Sequence, residues 1–265
     1  MNIRSSVFCV LTLLSIFARA QDTLQPVTLT VDGVKREAVL YAPASAKTSA
    51  SPLIFGWHGH GGNMHNSARM YHFHALWPEA IVVYPQGLNT PGRLTDPEGK
   101  KPGWQSAQGD QGDRDLKFFD AMWVKLHESY KVDDQRVYSS GHSNGGGFTY
   151  LLWAARGDRF TAMAPSASAA TRTRDALKPK PVLHIAGEND PLVKYIWQQV
   201  MMNALRKLNN TGAGKPWELD PNCTVYPSEK GTPVITAIHP GDHSYPKQAP
   251  EVIIKFFKSQ TSARR

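Results

Sequence analysis

Two segments near the amino end, Val27 to Val31 and Lys35 to Tyr41, alternate apolar and polar residues on either side of Asp32-Gly33. A period of two sends successive side chains to opposite faces of a strand, and Asp-Gly is a two-residue turn, so this pattern predicts an antiparallel hairpin. The next apolar runs do not alternate. Leu53 to Trp57 and Ala80 to Tyr84 are continuous and of strand length, as expected of strands covered by helices on both faces. From Pro85 to Gly112 the chain is dense in Gly, Pro, Asp and Gln without a period, which predicts a long loop of the kind that carries function in compact domains.

Beyond the loop Leu116, Phe119, Trp123, Leu126 and Tyr130 recur at helical spacing, with Asp113 or Asp115 as the capping residue. Strands are then predicted over Arg136 to Ser140, Phe160 to Pro165, Pro181 to Ala186 and Pro233 to Ile238. Helices are predicted over Gly145 to Arg156, Leu192 to Leu208 and Ala249 to Ser259. Strands alternating with helices give an α/β fold, here a doubly wound, mostly parallel sheet with an antiparallel N-terminal hairpin. No repeat or linker divides it.

Composition narrows this picture. With 41% hydrophobic and 20% charged residues over 265 positions, the chain is built like a folded globular protein, and its length suits one α/β domain. Arg4 precedes an apolar run from Val7 to Phe17 that ends in Ala18-Arg19-Ala20, the pattern of a secretory signal cleaved near Ala20. That run is well short of the roughly 20 residues needed to cross a bilayer. The expected organisation is a signal peptide over 1–20 and a single domain over 21–265, secreted or periplasmic, with no membrane partner. Loss of Arg4 and Arg19 takes the formal charge from +8 to +6. The remaining basic residues are scattered and no nucleic-acid-binding signature accompanies them, so nucleic acid is not an expected partner. No obligate protein partner is inferred. Cys9 leaves with the signal, so Cys223 remains alone and no internal disulfide is expected.

The chemistry concentrates at Gly141-His142-Ser143-Asn144-Gly145, a G-x-S-x-G between a predicted strand and a predicted helix. A serine on so tight a turn needs neighbours without Cβ atoms, because strand and helix backbones crowd together there. The helix that follows points its first N–H groups toward the serine oxygen, which favours negative charge. Ser143 is the candidate nucleophile.

A serine hydroxyl needs a base within hydrogen-bond reach. Of ten histidines, His243 and His239 lie near the end of the last strand. His243 is favoured because Pro240-Gly241 frees it to swing over the sheet edge. The base needs a carboxylate to fix its tautomer, and Asp190, in the turn after Pro181 to Ala186, is the candidate, with Glu188 as its rival. The order Ser143, Asp190, His243 is that of α/β-hydrolases. Donors for a developing oxyanion are expected from Asn144, which follows the nucleophile, and from His60 in His58-Gly59-His60-Gly61-Gly62. His58, His60, His65, His72 and His74 crowd together, but no metal-ligand spacing is present, so neither a metal nor a cofactor is expected. Asp110, Asp113 and Asp115 lack the pattern of a calcium loop and are read as helix caps.

The ordered set of His58-Gly59, Tyr84-Pro85-Gln86-Gly87, Trp104, Asp115, Arg136-Val137-Tyr138, Gly141 to Gly146, Asp190 and Gly241-Asp242-His243 resembles the secreted polyhydroxybutyrate depolymerase and feruloyl esterase group of α/β-hydrolases. The resemblance spans nearly the whole chain after residue 20. It implies a serine carboxylic-ester hydrolase with Ser143 as nucleophile, Asp190 and His243 as its partners, and Asn144 and His60 as oxyanion donors. Two departures stand out: members often have a cysteine pair near the last strand, where Cys223 is alone, and Tyr245 stands where a tryptophan usually follows the histidine.

Export points to a large or extracellular substrate. Feruloyl or acetyl esters of plant polysaccharides are the expected class, taken as small-molecule or oligosaccharide esters. A polyester depolymerase, an acyltransferase and a non-catalytic carbohydrate-binding protein on the same fold remain as alternatives. Trp57 and Trp104 are candidates for stacking on a sugar or aryl ring, with packing as the other reading of both.

Overall fold

Asp32 and Gly33 both take positive φ, 49° and 77°, as a type I′ turn requires, and join β1 (Gln25–Val31) to β2 (Val34–Tyr41). The computed structural model describes residues 23–260, so the expected signal over 1–20 and its cleavage position lie outside the described residues. After the hairpin come β3 (Ser51–Trp57), α1 (Met64–Tyr71), α2 (Phe73–Leu76), β4 (Ile81–Pro85), β5 (Leu88–Asn89) and β6 (Pro102–Gly103). Then follow α3 (Arg114–Ser129), β7 (Val132–His142), α4 (Asn144–Arg156), β8 (Ala162–Ser166), β9 (Val182–Gly187) and α5 (Tyr195–Leu208). The described chain closes with β10 (Lys215–Trp217), β11 (Asp220–Tyr226), β12 (Val234–His239) and α6 (Ala249–Lys258).

Ten strands form one sheet in the order β1-β2-β4-β3-β7-β8-β9-β12-β11-β10. The stretch from β4 through β12 is parallel, and both edges are antiparallel. The continuous apolar runs have a direct cause: alternate residues of one strand serve two different cores. In β3, Leu53, Phe55 and Trp57 face α3 and α4, whereas Ile54 faces α1 and α6. The same division holds for Val83 against Val82 in β4 and for Val137 against Tyr138 in β7. Helices α3, α4 and α5 therefore cover one face, and α1, α2 and α6 the other. Among the described residues, no helix is long and apolar enough to cross a membrane.

The loop after β4 is irregular, as its composition predicts, but it is tied down by the β5–β6 pair and by a buried polar cluster. Asp115 and Arg36 are both buried, and Arg36 Nη2 donates to Asp115 Oδ1 at 2.8 Å while the guanidinium lies over Phe118. Asp115 is therefore an ion-pair partner rather than a helix cap. Asp113 occupies the cap position at φ 59° without capping; its carboxylate accepts from Gly109 N and Gln105 Nε2 instead. The cap of α3 is non-local: Gln105 Oε1 accepts from Asp115 N and Leu116 N, and Gln105 N donates to Asp115 Oδ2. Removing one partner of such a buried pair costs about 3–5 kcal/mol, and here it would also release the loop that borders the cavity described below.

Three histidines are buried outright: His58 after β3, His142 at the end of β7 and His184 inside β9. Loss of hydration lowers each from the usual 6.5 to about 4. Below about pH 6.5 the unfolded chain binds protons that the folded chain excludes until about pH 4, so these residues favour the fold above that window and disfavour it as pH falls through it. Urea unfolding should therefore show a lower midpoint at pH 5 than at pH 7. A midpoint that holds or rises on acidification would contradict neutral burial of these rings.

Candidate active site

Strand β7 ends at His142 and helix α4 begins at Asn144, leaving Ser143 alone on the turn at φ 56° and ψ −118°. A side chain at positive φ is strained, and such strain persists only where surrounding structure enforces it. Two backbone bonds enforce it here: Ser143 N donates to Ser166 O of β8, and Gly147 N donates to Ser143 O, both at 2.9 Å. The glycine requirement is steric. A Cβ at Gly145 would stand 2.2 Å from Trp57 O, and one at Gly141 would stand 2.4 Å from Gly145 O.

Asp190 and His243 arrive from the loops after β9 and β12, which are adjacent parallel strands with Gly187 opposite His239. The loops are stitched together by Glu188 N to His239 O and Asn189 N to Gly241 O. At the carboxyl edge of the sheet His243 Nε2 lies 2.8 Å from Ser143 Oγ, and His243 Nδ1 lies 2.8 Å from Asp190 Oδ2. The Asp190 side chain is fully buried, and its Oδ1 accepts from the N–H groups of Leu192 and Val193 at 2.9 Å each. A carboxylate so occupied is an acceptor toward the ring, so Nδ1 carries the proton and the Nε2 lone pair faces the serine hydroxyl. The rivals do not reach this line. His239 ends β12 and accepts from Gly241 N, and Glu188 is exposed.

His142 adds a connection that the pentapeptide alone does not announce. Burial keeps its ring neutral down to about pH 4. Its Nε2 lies 2.8 Å from His243 O and its Nδ1 lies 3.2 Å from Ser166 Oγ. The carbonyl can only accept, so Nε2–H donates to the loop carrying His243 and Nδ1 accepts from Ser166. Tyr245 packs edge-on against the same ring, 5.4 Å between centroids, and against Tyr71.

Asn144 is the first residue of α4, where N–H groups lack an intrahelical acceptor and the helix dipole is positive. Its side chain is held elsewhere: Trp104 N donates to Oδ1 at 2.7 Å, and Nδ2 donates to Trp104 O at 3.0 Å. The Gly59-His60 backbone runs beside the serine, since a Cβ at Gly59 would lie 3.6 Å from Ser143 Cβ. Gly61 N and Gly62 N are committed to Pro102 O and Gly59 O, and the His60 ring borders the cavity with Nε2 3.1 Å from Asp96 Oδ2. The other crowded histidines have separate tasks. His58 Nε2 accepts from Gly87 N, so its Nδ1–H donates to Gly59 O, and His74 Nδ1 meets Tyr84 Oη at 3.0 Å. Among the described residues, no group of three metal-ligating side chains gathers.

A cavity of about 580 Å³ opens over Ser143 and His243. Leu94, Leu192, Trp197, Val200 and Met201 form its apolar wall. Trp197 and Val200 are about half exposed, at 44% and 52%. These wall residues were not anticipated from sequence, although a signal exists. The buried stripe of α5 runs through Gln198, Met201, Met202 and Leu205, and Trp197 and Val200 fall off it. The expectation for Trp57 and Trp104 is corrected. Both are fully buried and neither borders the cavity. Trp57 meets Trp104 and Phe148 edge-on and donates to Ser139 Oγ, while Trp104 Nε1 donates to His58 O. An aromatic ring beneath the start of α4 is a packing element, and each indole N–H already has its partner.

No family model matches the chain. It is 28% identical over 211 residues to a bifunctional acetylxylan esterase/xylanase of Neocallimastix patriciarum, covering 75% of this chain and 29% of that protein. It is 32% identical over 167 residues to feruloyl esterase C of Emericella nidulans, covering 60% of this chain and 56% of that one. To feruloyl esterase D of Neurospora crassa it is 26% identical over 185 residues, covering 64% and 54%. The chain thus spans less than two thirds of the length of these relatives. Among solved structures, acetyl xylan esterase from Aspergillus awamori superposes with a TM-score of 0.66 at 12% identity, covering 88% of this chain and 99% of that one. A ferulic acid esterase superposes with a TM-score of 0.60 at 16% identity, covering 89% and 98%. The chain has the α/β-hydrolase fold and is similar in sequence to a feruloyl esterase-like group of proteins.

Proposed function

We propose that this chain is a serine carboxylic-ester hydrolase that works through an acyl-enzyme on feruloyl or acetyl esters of plant polysaccharides. The observation that carries the reading is the continuous line Asp190–His243–Ser143, with 2.8 Å at both joints. In this reading the Ser143 oxygen attacks the ester carbonyl while its proton passes to His243 Nε2. The negative charge that develops on the carbonyl oxygen is met by the N–H groups of Asn144 and His60. His243 then returns the proton to the departing alcohol. A water molecule then gives a proton to the same nitrogen as it attacks the acyl-serine carbonyl, and that proton passes to the departing Ser143 oxygen as the acid is freed, restoring both side chains. Asp190 holds the ring in the tautomer that leaves Nε2 free and offsets the charge of the imidazolium.

The substrate class draws support from two sources. The relatives named above carry acetylxylan and feruloyl esterase activities in their names. One wall of the cavity is apolar and includes Trp197, an indole suited to the aryl ring of a hydroxycinnamoyl group. The secretory pattern of residues 1–20 would bring the enzyme to polymeric esters outside the cytoplasm.

Two experiments test the reading. Ser143→Ala should lower kcat on a p-nitrophenyl ester by roughly 10⁴-fold or more without unfolding the chain; substantial residual turnover would refute the role of Ser143. Trp197→Ala should raise KM for a feruloyl ester by about fivefold, corresponding to about 1 kcal/mol of lost apolar contact, and leave KM for an acetyl ester nearly unchanged. Trp104→Phe should lower the unfolding midpoint and spare both KM values. The reverse assignment of effects between Trp197 and Trp104 would contradict the account of the cavity.

A further inference from the structure

The cavity over Ser143 is uniform in the sign of its charge. Two arginines border it, Arg93 in the loop between β5 and β6 and Arg174 in the turn after β8, and none of the residues lining it is acidic. The carboxylates of the surrounding loops are already engaged. Asp96 accepts from Lys101 N at 2.8 Å and meets His60 Nε2 at 3.1 Å, Asp190 is buried against His243, and Asp110 pairs with Arg172. Arg93 is exposed, and among the described residues its guanidinium has no hydrogen-bond or ion-pair partner. Arg174 Nε lies 3.3 Å from Asp175 Oδ1, but that carboxylate is 93% exposed, and a pair so open to water holds the guanidinium weakly. Lys194, exposed beside the apolar wall with Nζ 5.9 Å from the centre of the Trp197 ring, is a further cation.

The apolar and the charged parts of the lining come from different segments. Helix α5 contributes only Trp197, Val200 and Met201, whereas Arg93 and Arg174 come from segments that also line the cavity with the hydroxyl residues Thr95, Thr171 and Thr173. Both arginines stand on fixed backbone. Gly92 N donates to Asp96 O and Asp96 N to Gly92 O, at 2.8 and 2.9 Å, and Arg174 N donates to Ala170 O at 3.1 Å. A group presented this way loses less freedom when it binds, and the planar fork of a guanidinium matches a carboxylate with two parallel hydrogen bonds. A cleft with an apolar wall also focuses the field of its charges, so these cations attract an anion more strongly than they would on open surface. The whole chain carries a formal charge of +8, the same sign, which favours the approach of an acidic polymer.

We propose that the cavity takes esters whose saccharide part carries a carboxylate, a uronate close to the esterified sugar, and that Arg93 and Arg174 bind that carboxylate. The acyl group lies on the α5 wall, and the acidic sugar lies against the segments that carry the hydroxyls and arginines. A neutral sugar gains little from guanidinium groups that remain hydrated, whereas a carboxylate exchanges that hydration for charge-assisted bonds. The inference rests on the serine-hydrolase reading above and names the class of alcohol released.

The test compares kcat/KM of the full chain on a feruloylated neutral arabinoxylo-oligosaccharide and on the same oligosaccharide bearing a glucuronate, with methyl ferulate as the reference without a sugar. At low salt the uronate-bearing ester should be preferred over its neutral counterpart by about fivefold, and at about 0.5 M NaCl the preference should shrink to within about twofold, because exposed charges are screened. Arg93→Gln and Arg174→Gln should each lower that ratio by about twofold, and the double variant should bring it close to one. Both side chains are exposed, so the substitutions leave the core intact. The p-nitrophenyl monoester of succinate should be cleaved no faster than that of butyrate, since its carboxylate is on the acyl side. Equal or poorer turnover of the uronate-bearing ester, or a preference that survives in the double variant, would overturn the proposal. A preference confined to the succinyl ester would overturn the placement of the anion on the saccharide. No turnover of any of these esters, methyl ferulate included, would refute the serine-hydrolase reading and this proposal with it, whereas turnover without preference would refute the proposal alone.

Discussion

Helix α4 starts so close to the carboxyl end of β3 that a Cβ at Gly145 would stand 2.2 Å from Trp57 O. That approach governs the whole site. It brings the serine turn against the Gly59-His60 backbone, so that Ser143 and the N–H groups proposed as oxyanion donors share one small volume. It also forces Ser143 into a conformation that side chains rarely adopt, φ 56°, which lifts the hydroxyl clear of strand and helix. The strain is held by the core beneath it, where Trp57, Trp104 and Phe148 pack in mutual contact under the first turns of α4. Aromatic bulk below and absent Cβ atoms above are two sides of one arrangement.

The second level of organisation is the alignment of loops at the carboxyl edge of the sheet. Ser143, Asp190 and His243 follow β7, β9 and β12, with β8 filling the gap between the first two. Parallel strands end together, so residues 100 positions apart along the chain reach hydrogen-bond distance. The connections then fix the register: His142 Nε2–H to His243 O, and the backbone bonds between 188–189 and 239–241. Gln105 extends the arrangement to the far side of the cavity. It caps α3 from a distance and binds the Arg36–Asp115 pair, so the loop bordering the cavity is anchored in the hydrophobic layer beneath it.

Much of this was legible in the sequence where local pattern and global fold agree. The uninterrupted runs at Leu53 to Trp57 and Ala80 to Tyr84 become doubly covered strands, and Asp32-Gly33 becomes the turn of a hairpin. The elbow residues are readable because glycine is demanded at two fixed offsets from the serine. What escaped reading depends on distant contacts. Gln105 is an ordinary glutamine in sequence, and its role arises only when loops and helices from elsewhere bring it donors and acceptors. Trp57 and Trp104 could be read from sequence either as surfaces for a ring or as packing, and the fold buries both completely. Trp197, the indole that borders the cavity, lies on the side of α5 that amphipathic reasoning assigns to solvent. The edge strands β10 and β11 are half exposed and contain Pro216 and Pro221, so they lack both the alternation and the apolar density that mark a strand. Helix α1 buries only Ser67, Ala68 and Tyr71, too few apolar residues to register as a period.

The central claim is that Ser143, and no other hydroxyl, becomes covalently reactive because His243 lies against it. Peptide mapping by mass spectrometry after incubation with a fluorophosphonate measures this directly. The account predicts a single adduct on Ser143, forming far more slowly in the variant His243→Gln. Absence of any adduct, an adduct on a different residue, or labelling of Ser143 at the same rate without the imidazole would contradict it.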